Sequence, residues 1–529
     1  MLILLIMIGF PGWRLAYPAS LAVLTAHAQD TPAPCGYADR FDLPVPDIDF
    51  QRTDFGIYRA RFGGRHTGID VAFEQLGSPV QAAARGQVTY SDPAGWDTEK
   101  GVVVIQHTFP DGSLVNTLYG HMEELNDHFF PTAGQCVERG DIIGAIGSPS
   151  RGLPHLHYET RTRYRYEGGP GYTQVNPLEL GWLHPLDFTY LANIRVLAAY
   201  RSHFSLTEGA ILPPLLLSDG TYVIAHGKYL EGVTGSGQVL WRFDTFGSAT
   251  GLLALPDGRV LAATSAEQVL VLANGSYSAL WPVAGMHSAP LLVGNAVVFM
   301  MQDNTLRAFA PDGSRLWTTP PLNGRLERWV ISGDRLAVAT QDHQLSIIGP
   351  DGAILYQNSF TNLILPFAAQ DGSFLLLDGS GLFEINHDLV ISSRFDTGRA
   401  ITSGAALLKS TSGMLYLYPG EGRAVYAYTP DGALSWIAYM PGSHLQAPRL
   451  GLGGGRLLYA LTTDSQLLAY DTTDGHLETQ IALYDGGIEG TASARWLDVL
   501  PDDTVRFAGG YLSVVTIDGL SLIAAAENQ

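Results

Sequence analysis

The chain has 529 residues, of which 46% are hydrophobic and 16% charged, with 60 Gly, 30 Pro and 24 Tyr. That length exceeds what one hydrophobic core serves, and the composition is that of a folded, loop-rich, all-β-dominated protein rather than a disordered one. Acidic side chains outnumber basic ones 51 to 31, for a formal charge of −20 without a basic cluster, which excludes nucleic acid as an expected partner because its backbone demands concentrated positive charge.

The first residues, MLILLIMIGFPGWRLAYPASLAVLTAHAQD, are apolar up to Asp30 but interrupted by Pro11, Gly12, Arg14 and Pro18. This pattern predicts an export signal over 1–28, with Ala26-His27-Ala28 as the small-x-small cleavage site. No basic residue precedes the first apolar run, and an uncleaved anchor is the alternative. Beyond this segment no integral membrane domain is expected. The predicted location is therefore exported, periplasmic or extracellular, and associated with the cell envelope. Residues 29–54 read as an N-terminal extension. Cys35 and Cys136 are the two cysteines; in an exported chain they point to one disulfide, with two buried thiols as the other reading.

Residues 55–190 carry turn dipeptides and short β runs, GQVTY (86–90), GVVVIQH (101–107) and DIIGAIG (141–147), with histidines between them. In GLPHLHYET (152–160), His155 and His157 share one face of a strand, because side-chain direction repeats every two residues. Alone that pattern equally suits a polar stripe on a surface strand. GGRHTGIDVAF (63–73) adds His66 and Asp70, separated by Gly68, whose freedom could bring them together. His66, Asp70 and one histidine of the pair would complete the three-ligand set of a catalytic zinc site, unless Asp70 caps a turn and His66 is a solvated loop residue. A third element, LVNTLYGHMEEL (114–125), contributes His121. His107 is expected to be structural, and RTRYRY (161–166) a solvated edge strand.

Together these segments resemble the lysostaphin-like, or LytM-like, zinc metallopeptidases that cut peptide cross-links in bacterial cell walls. LGSPVQAAARGQVTYS (76–91) and CVERGDIIGAIGSPSRGLPHLHYE (136–159) extend the likeness beyond the ligands. The resemblance implies a small antiparallel β-sheet peptidase domain holding one Zn2+ ion. It makes His66, Asp70 and His157 the metal ligands and His155 and His121 catalytic, His155 as general base and His121 orienting water or stabilising the oxyanion. The loops 124–140 and 147–159 depart from the family pattern and leave the cleaved bond open.

After a linker at 191–204 the texture changes. Over 205–529 the runs GQVLWRF (237–243), PDGSRLWTT (311–319), PDGAILYQN (350–358), PDGALSWIA (430–438) and TDGHLETQI (473–481) recur about every 40 residues, with a degenerate unit near 385–395. Such a period predicts a β-propeller of eight blades. An aromatic follows several turn glycines, as Trp241, Trp317, Tyr356 and Trp436 do, and is expected to pack between blades. The repeats resemble propellers related to pyrroloquinoline-quinone enzymes, but the two cysteines are not vicinal and lie outside the repeats, so that cofactor is not expected. The predicted function is an exported zinc metalloendopeptidase acting on peptidoglycan peptide cross-links, with a propeller, of unknown protein or glycan partner, that localises or regulates it. The alternatives are a non-catalytic envelope protein that binds wall peptides or activates an amidase, and a zinc endopeptidase for a peptide or secreted protein.

Overall fold

Short β-branched and apolar runs punctuated by Gly, Asp and Asn turns fold into antiparallel strands along nearly the whole chain. The computed structural model describes residues 34–45, 52–164, 167–204, 212–369, 372–441, 448–454, 456–463, 466–482, 496–508 and 514–522. The expected export signal lies outside the described residues, among which no helix is long and apolar enough to cross a membrane.

The N-terminal part is built on a meander of Gly86–Asp92, Gly101–Thr108 and Leu114–Glu123. Leu156–Arg161 adds to it, pairing with Leu114–Glu123 on one side and with Ile69–Val71 and Trp182–Leu183 on the other. Val103, Ile105, Tyr119, Ile143, Leu156 and Tyr158 are wholly buried in its core. The stretch read as an N-terminal extension joins this unit. Ala38 and Phe41 pack with Phe109, Phe188 and Ala192, and Val45 enters the main core. Cys35 and Cys136 form a disulfide.

The C-terminal part comprises eight four-stranded antiparallel sheets among the described residues. Central strands such as Ala296–Met300 and Leu457–Leu461 are buried along their whole length, because each sheet is covered on both faces by its neighbours. The turns at Gly313, Gly352 and Gly432 join the third and fourth strands of a sheet, and each is followed by a register shift characteristic of a glycine bulge. At Gly313 φ is +90°, and an added Cβ would sit 2.5 Å from Trp281 of the preceding sheet. Trp241 meets Gly275, Trp317 meets Gly352 and Trp436 meets Gly475 in the same way. The repeated aromatics therefore pack between sheets. The degenerate unit supplies Ile364–Ala368, Phe374–Asp378, Gly381–Ile385 and Ile391–Asp396, a complete sheet without a glycine in the turn between its third and fourth strands.

The segment 191–204, expected as a linker, is structured. It holds the end of the helix Pro185–Arg195 and the strand Tyr200–Phe204, which pairs with Val514–Asp518 and completes the sheet formed by the last three strands. The repeat therefore closes on a strand supplied from before its own first unit.

Candidate metal centre

His66 ends the strand Gly64–His66, Asp70 lies in Ile69–Val71, and His157 lies directly across from Asp70 in the adjoining register. The close approach depends on Gly68. A Cβ there would stand 2.3 Å from the Tyr158 carbonyl oxygen and 3.0 Å from His157 Nε2, and its φ is not left-handed. Glycine is needed for room, not for the flexibility that the sequence suggested.

His66 Nε2 lies 2.9 Å from His157 Nδ1, and Asp70 Oδ1 is 3.2 Å from the former and 3.1 Å from the latter. All three residues are buried. The opposite ring nitrogens are already engaged: His66 Nδ1 donates to the Asp54 carbonyl at 3.2 Å, and His157 Nε2 donates to Glu159 Oε1 at 2.9 Å. Three lone-pair acceptors thus converge with no donor among them, which only a shared cation or extra protons can satisfy. Their separations approach the ~3.3 Å edge of a tetrahedron with bonds of 2.0–2.1 Å, and two imidazoles with a carboxylate suit zinc. The residues present fit the implied ion.

Further groups hold these ligands in place. Arg59 Nη1 donates to Asp70 Oδ2 at 2.7 Å while its other amino group pairs with Asp54, leaving Oδ1 to face the histidines. Asp54 also accepts the Asp70 backbone N–H at 2.6 Å. Burial disfavours a charged Asp70, but hydrogen bonds from His157 and His66 outweigh it and hold the carboxyl well below the usual range. Burial likewise opposes protonation of His157, yet Asp70 and Glu159 raise it to about 9. Glu159 is wholly buried and accepts from Trp182 Nε1 at 2.8 Å and from Arg161 Nη1 at 3.2 Å. This corrects the expectation for RTRYRY. Arg161 is not solvated but fully buried, its two amino groups bonded also to the carbonyls of Gly169, Tyr164 and Glu167; Arg165 and Tyr166 lie outside the described residues.

His155 and His121 stand beside the triad. His155 Nδ1 donates to the Leu153 carbonyl at 2.7 Å, its ring stacks on Phe73, and Nε2 is 3.6 Å from Asp70 Oδ1. His121 has φ +58°, an uncommon conformation for a residue with a side chain, and its Nδ1 donates to the Glu99 carbonyl at 2.7 Å. Its ring centroid lies 4.6 Å from that of His155 and 6.1 Å from that of His157. Burial, then the nearby charge on His157, push His121 down to about 3. His121 thus keeps Nδ1–H on a backbone carbonyl and leaves Nε2 as an acceptor, and His155 likewise commits Nδ1 to a carbonyl and turns Nε2 towards the triad. His107, as expected, is structural, bonded to the Arg85 carbonyl and Thr117.

The five sequence-predicted residues therefore meet in one place, in a cleft of about 500 Å³. Sequence reading missed Asp54 and Arg59, whose spacing from the ligands follows no period, and Trp96 and Tyr172. Trp96 lies over Gly120 and packs edge-on against His121 and His157, and Tyr172 stacks on His66.

Parts of the chain are similar to known proteins. Residues 64–177 match the model of peptidase family M23, and residues 230–362 match that of the outer membrane protein assembly factor BamB. A curated relative, the L-Ala–D-Glu endopeptidase of Bacillus subtilis (strain 168), is 32% identical over 129 residues, 22% of this chain; the chain spans 36% of that relative's length. Among solved structures, BamB from Moraxella catarrhalis (13% identity, TM-score 0.43) is covered over 99% of its chain and 60% of this one. Saccharomyces cerevisiae Sqt1 (11%, 0.49) is covered over 98%, again across 60% of this chain.

Proposed function

We propose that this protein is an exported, single-zinc metalloendopeptidase of the bacterial envelope that hydrolyses amide bonds in peptidoglycan peptide cross-links. His66, Asp70 and His157 hold the ion. The observation that carries this reading is the convergence of three buried acceptors beside two further histidines, each with Nδ1 held by a backbone carbonyl, in a segment that matches a peptidase family. The propeller localises or regulates the enzyme, a role supported by its separate repeat architecture.

Zinc, when bound, lowers the pKa of a coordinated water and polarises the scissile carbonyl. The protein's own residues do the rest. His155 Nε2, held by the Leu153 carbonyl and facing the triad, accepts the water proton and returns it to the leaving amine nitrogen. His121, its only proton tied to Glu99, orients the attacking water by accepting a hydrogen bond at Nε2. That tautomer argues for water orientation over oxyanion donation. Trp96 and Tyr172 shield the imidazoles from bulk solvent and keep their interactions strong.

The test is zinc content together with release of soluble fragments from purified wall sacculi. Zinc is expected in wild type, His155→Ala and His121→Ala and lost in His157→Ala, with hydrolysis falling at least ~100-fold in all three variants. Stoichiometric zinc without hydrolysis of any wall or peptide substrate would favour a binding role instead.

A further inference from the structure

The cleft contains charge that the metal centre does not use. Three arginines line it, Arg59, Arg61 and Arg151. Arg59 is committed to Asp54 and Asp70. Arg61 and Arg151 are exposed and form no ion pair or hydrogen bond among the described residues; Arg61 has only a loose contact with the Phe62 ring, 5.6 Å from its centroid. Of the acidic lining groups, Asp70 is a ligand, and Glu99 binds the Ser150 hydroxyl beside its own carbonyl's bond to His121. In a chain with 51 acidic and 31 basic side chains, two cleft arginines without an acidic partner among the described residues run against the composition of the surface.

The two arginines flank the triad on different sides. Arg61 precedes Phe62, which stacks on Tyr172, which stacks in turn on His66. Arg151 sits on the opposite loop, four residues before His155, whose ring lies against Phe73. An extended peptide whose scissile amide lies over the triad therefore runs from one arginine towards the other. Guanidinium groups left without partners in the lining of a cleft suit carboxylates, which they bind by paired, charge-assisted hydrogen bonds.

We infer that the cleft selects an anionic peptide, with a free carboxylate on each side of the scissile amide, bound by Arg61 and Arg151, over a neutral bridge of glycine type. This rests on the peptidase reading above and narrows its substrate. A neutral bridge would leave both arginines unpaired on binding and lose that discrimination.

The test compares sacculi with intact carboxylates against the same sacculi whose carboxylates have been converted to methylamides. The wild-type, zinc-loaded full chain is expected to hydrolyse intact sacculi at least ~10-fold faster. Arg61→Gln and Arg151→Gln should each lose roughly 10-fold on intact sacculi, through the substrate concentration needed rather than the maximal rate, with zinc content unchanged. Each single variant should keep a reduced preference for intact sacculi through its remaining arginine, and the double variant should be nearly indifferent to amidation. Equal hydrolysis of the two preparations by wild type, or arginine variants with wild-type rates, would overturn the inference while leaving the peptidase reading intact. Hydrolysis of neither would refute the peptidase reading, and co-sedimentation of wild type and both variants with each preparation then decides: arginine-dependent preference for intact sacculi sustains anionic recognition, and equal binding overturns it.

Discussion

Glu159 ties the metal centre to the interior of the sheet, since one carboxylate fixes the His157 ring and neutralises the buried Arg161. Its replacement has two consequences of different kind. Glu159→Gln replaces the carboxylate that holds the His157 proton on Nε2 by a neutral, weaker acceptor, and the zinc dissociation constant is expected to rise 10–100-fold, measured by chelator competition on folded protein. It also leaves Arg161 without its counter-ion, a loss of order 3–5 kcal/mol that denaturant unfolding would register; unchanged zinc affinity would show that Glu159 serves packing alone. Proton competition gives a second check on the same residue. Without metal, His157 holds its proton up to about pH 9, so ion binding below that pH must expel it. Apparent zinc affinity should therefore fall about tenfold for each pH unit lowered from 9 towards neutrality, and a flat profile would contradict this. At this scale the sequence was readable where a period or a close spacing carried the message. His155 and His157 follow the two-residue alternation of a strand, whereas Arg59 and Asp54 reach Asp70 from a two-residue strand and a 3-10 segment that share no period with it.

A sheet of the C-terminal part is an element defined by its turn, because the glycine that admits the bulge also makes room for the neighbouring sheet's aromatic ring. These two demands separate experimentally. Gly258, in another Asp-Gly turn, has φ +82° with nothing within 4 Å of an added Cβ, so Gly258→Ala should cost only the backbone term, about 1 kcal/mol. At Gly313 the same φ region is combined with a Cβ 2.5 Å from Trp281. Gly313→Ala is accordingly expected to cost about 3 kcal/mol or more, read as a lower midpoint of the C-terminal part's unfolding transition. Equal effects at the two positions would mean that Trp281 yields freely. The doubled demand is also why the repeat was visible: a position under two constraints keeps its residue from unit to unit, and the aromatic four residues later marks its partner. In the degenerate unit the turn is 386–390, where Leu389 takes φ +64° without glycine. The sheet survives there, although the signature does not.

The two parts of the molecule share an element at their junction. In the helix Pro185–Arg195, Phe188 and Ala192 pack with Phe41 and Phe109 of the N-terminal part, while Ile194 packs with Leu457, Phe507 and Ile517 of the C-terminal part. Arg195 then lies over the Phe109 ring at 3.9 Å and pairs with Asp111 at 3.2 Å. No composition shift marked this boundary, because a lone strand and one short helix carry neither a turn glycine nor a repeat; the segment 191–204 looks like a linker only when read along the chain. Cutting there should therefore fail. A fragment of residues 29–183 loses Leu186, Phe188 and Ala192 from its cores, and burying one large apolar side chain contributes roughly 1.5–3 kcal/mol. The total is of the order of a domain's whole stability. A fragment of 205–529 loses Tyr200–Phe204, leaving the sheet of Val514–Asp518 one strand short and Gly237 without the Phe204 ring that packs on it. Fragments 29–197 and 198–529 are expected to give soluble protein with a cooperative thermal transition, and 29–183 and 205–529 to aggregate or unfold without one. If the two shorter fragments fold as well as the longer ones, the junction is a tether after all, and any influence of the propeller on the metal centre would have to travel through a partner rather than through this helix.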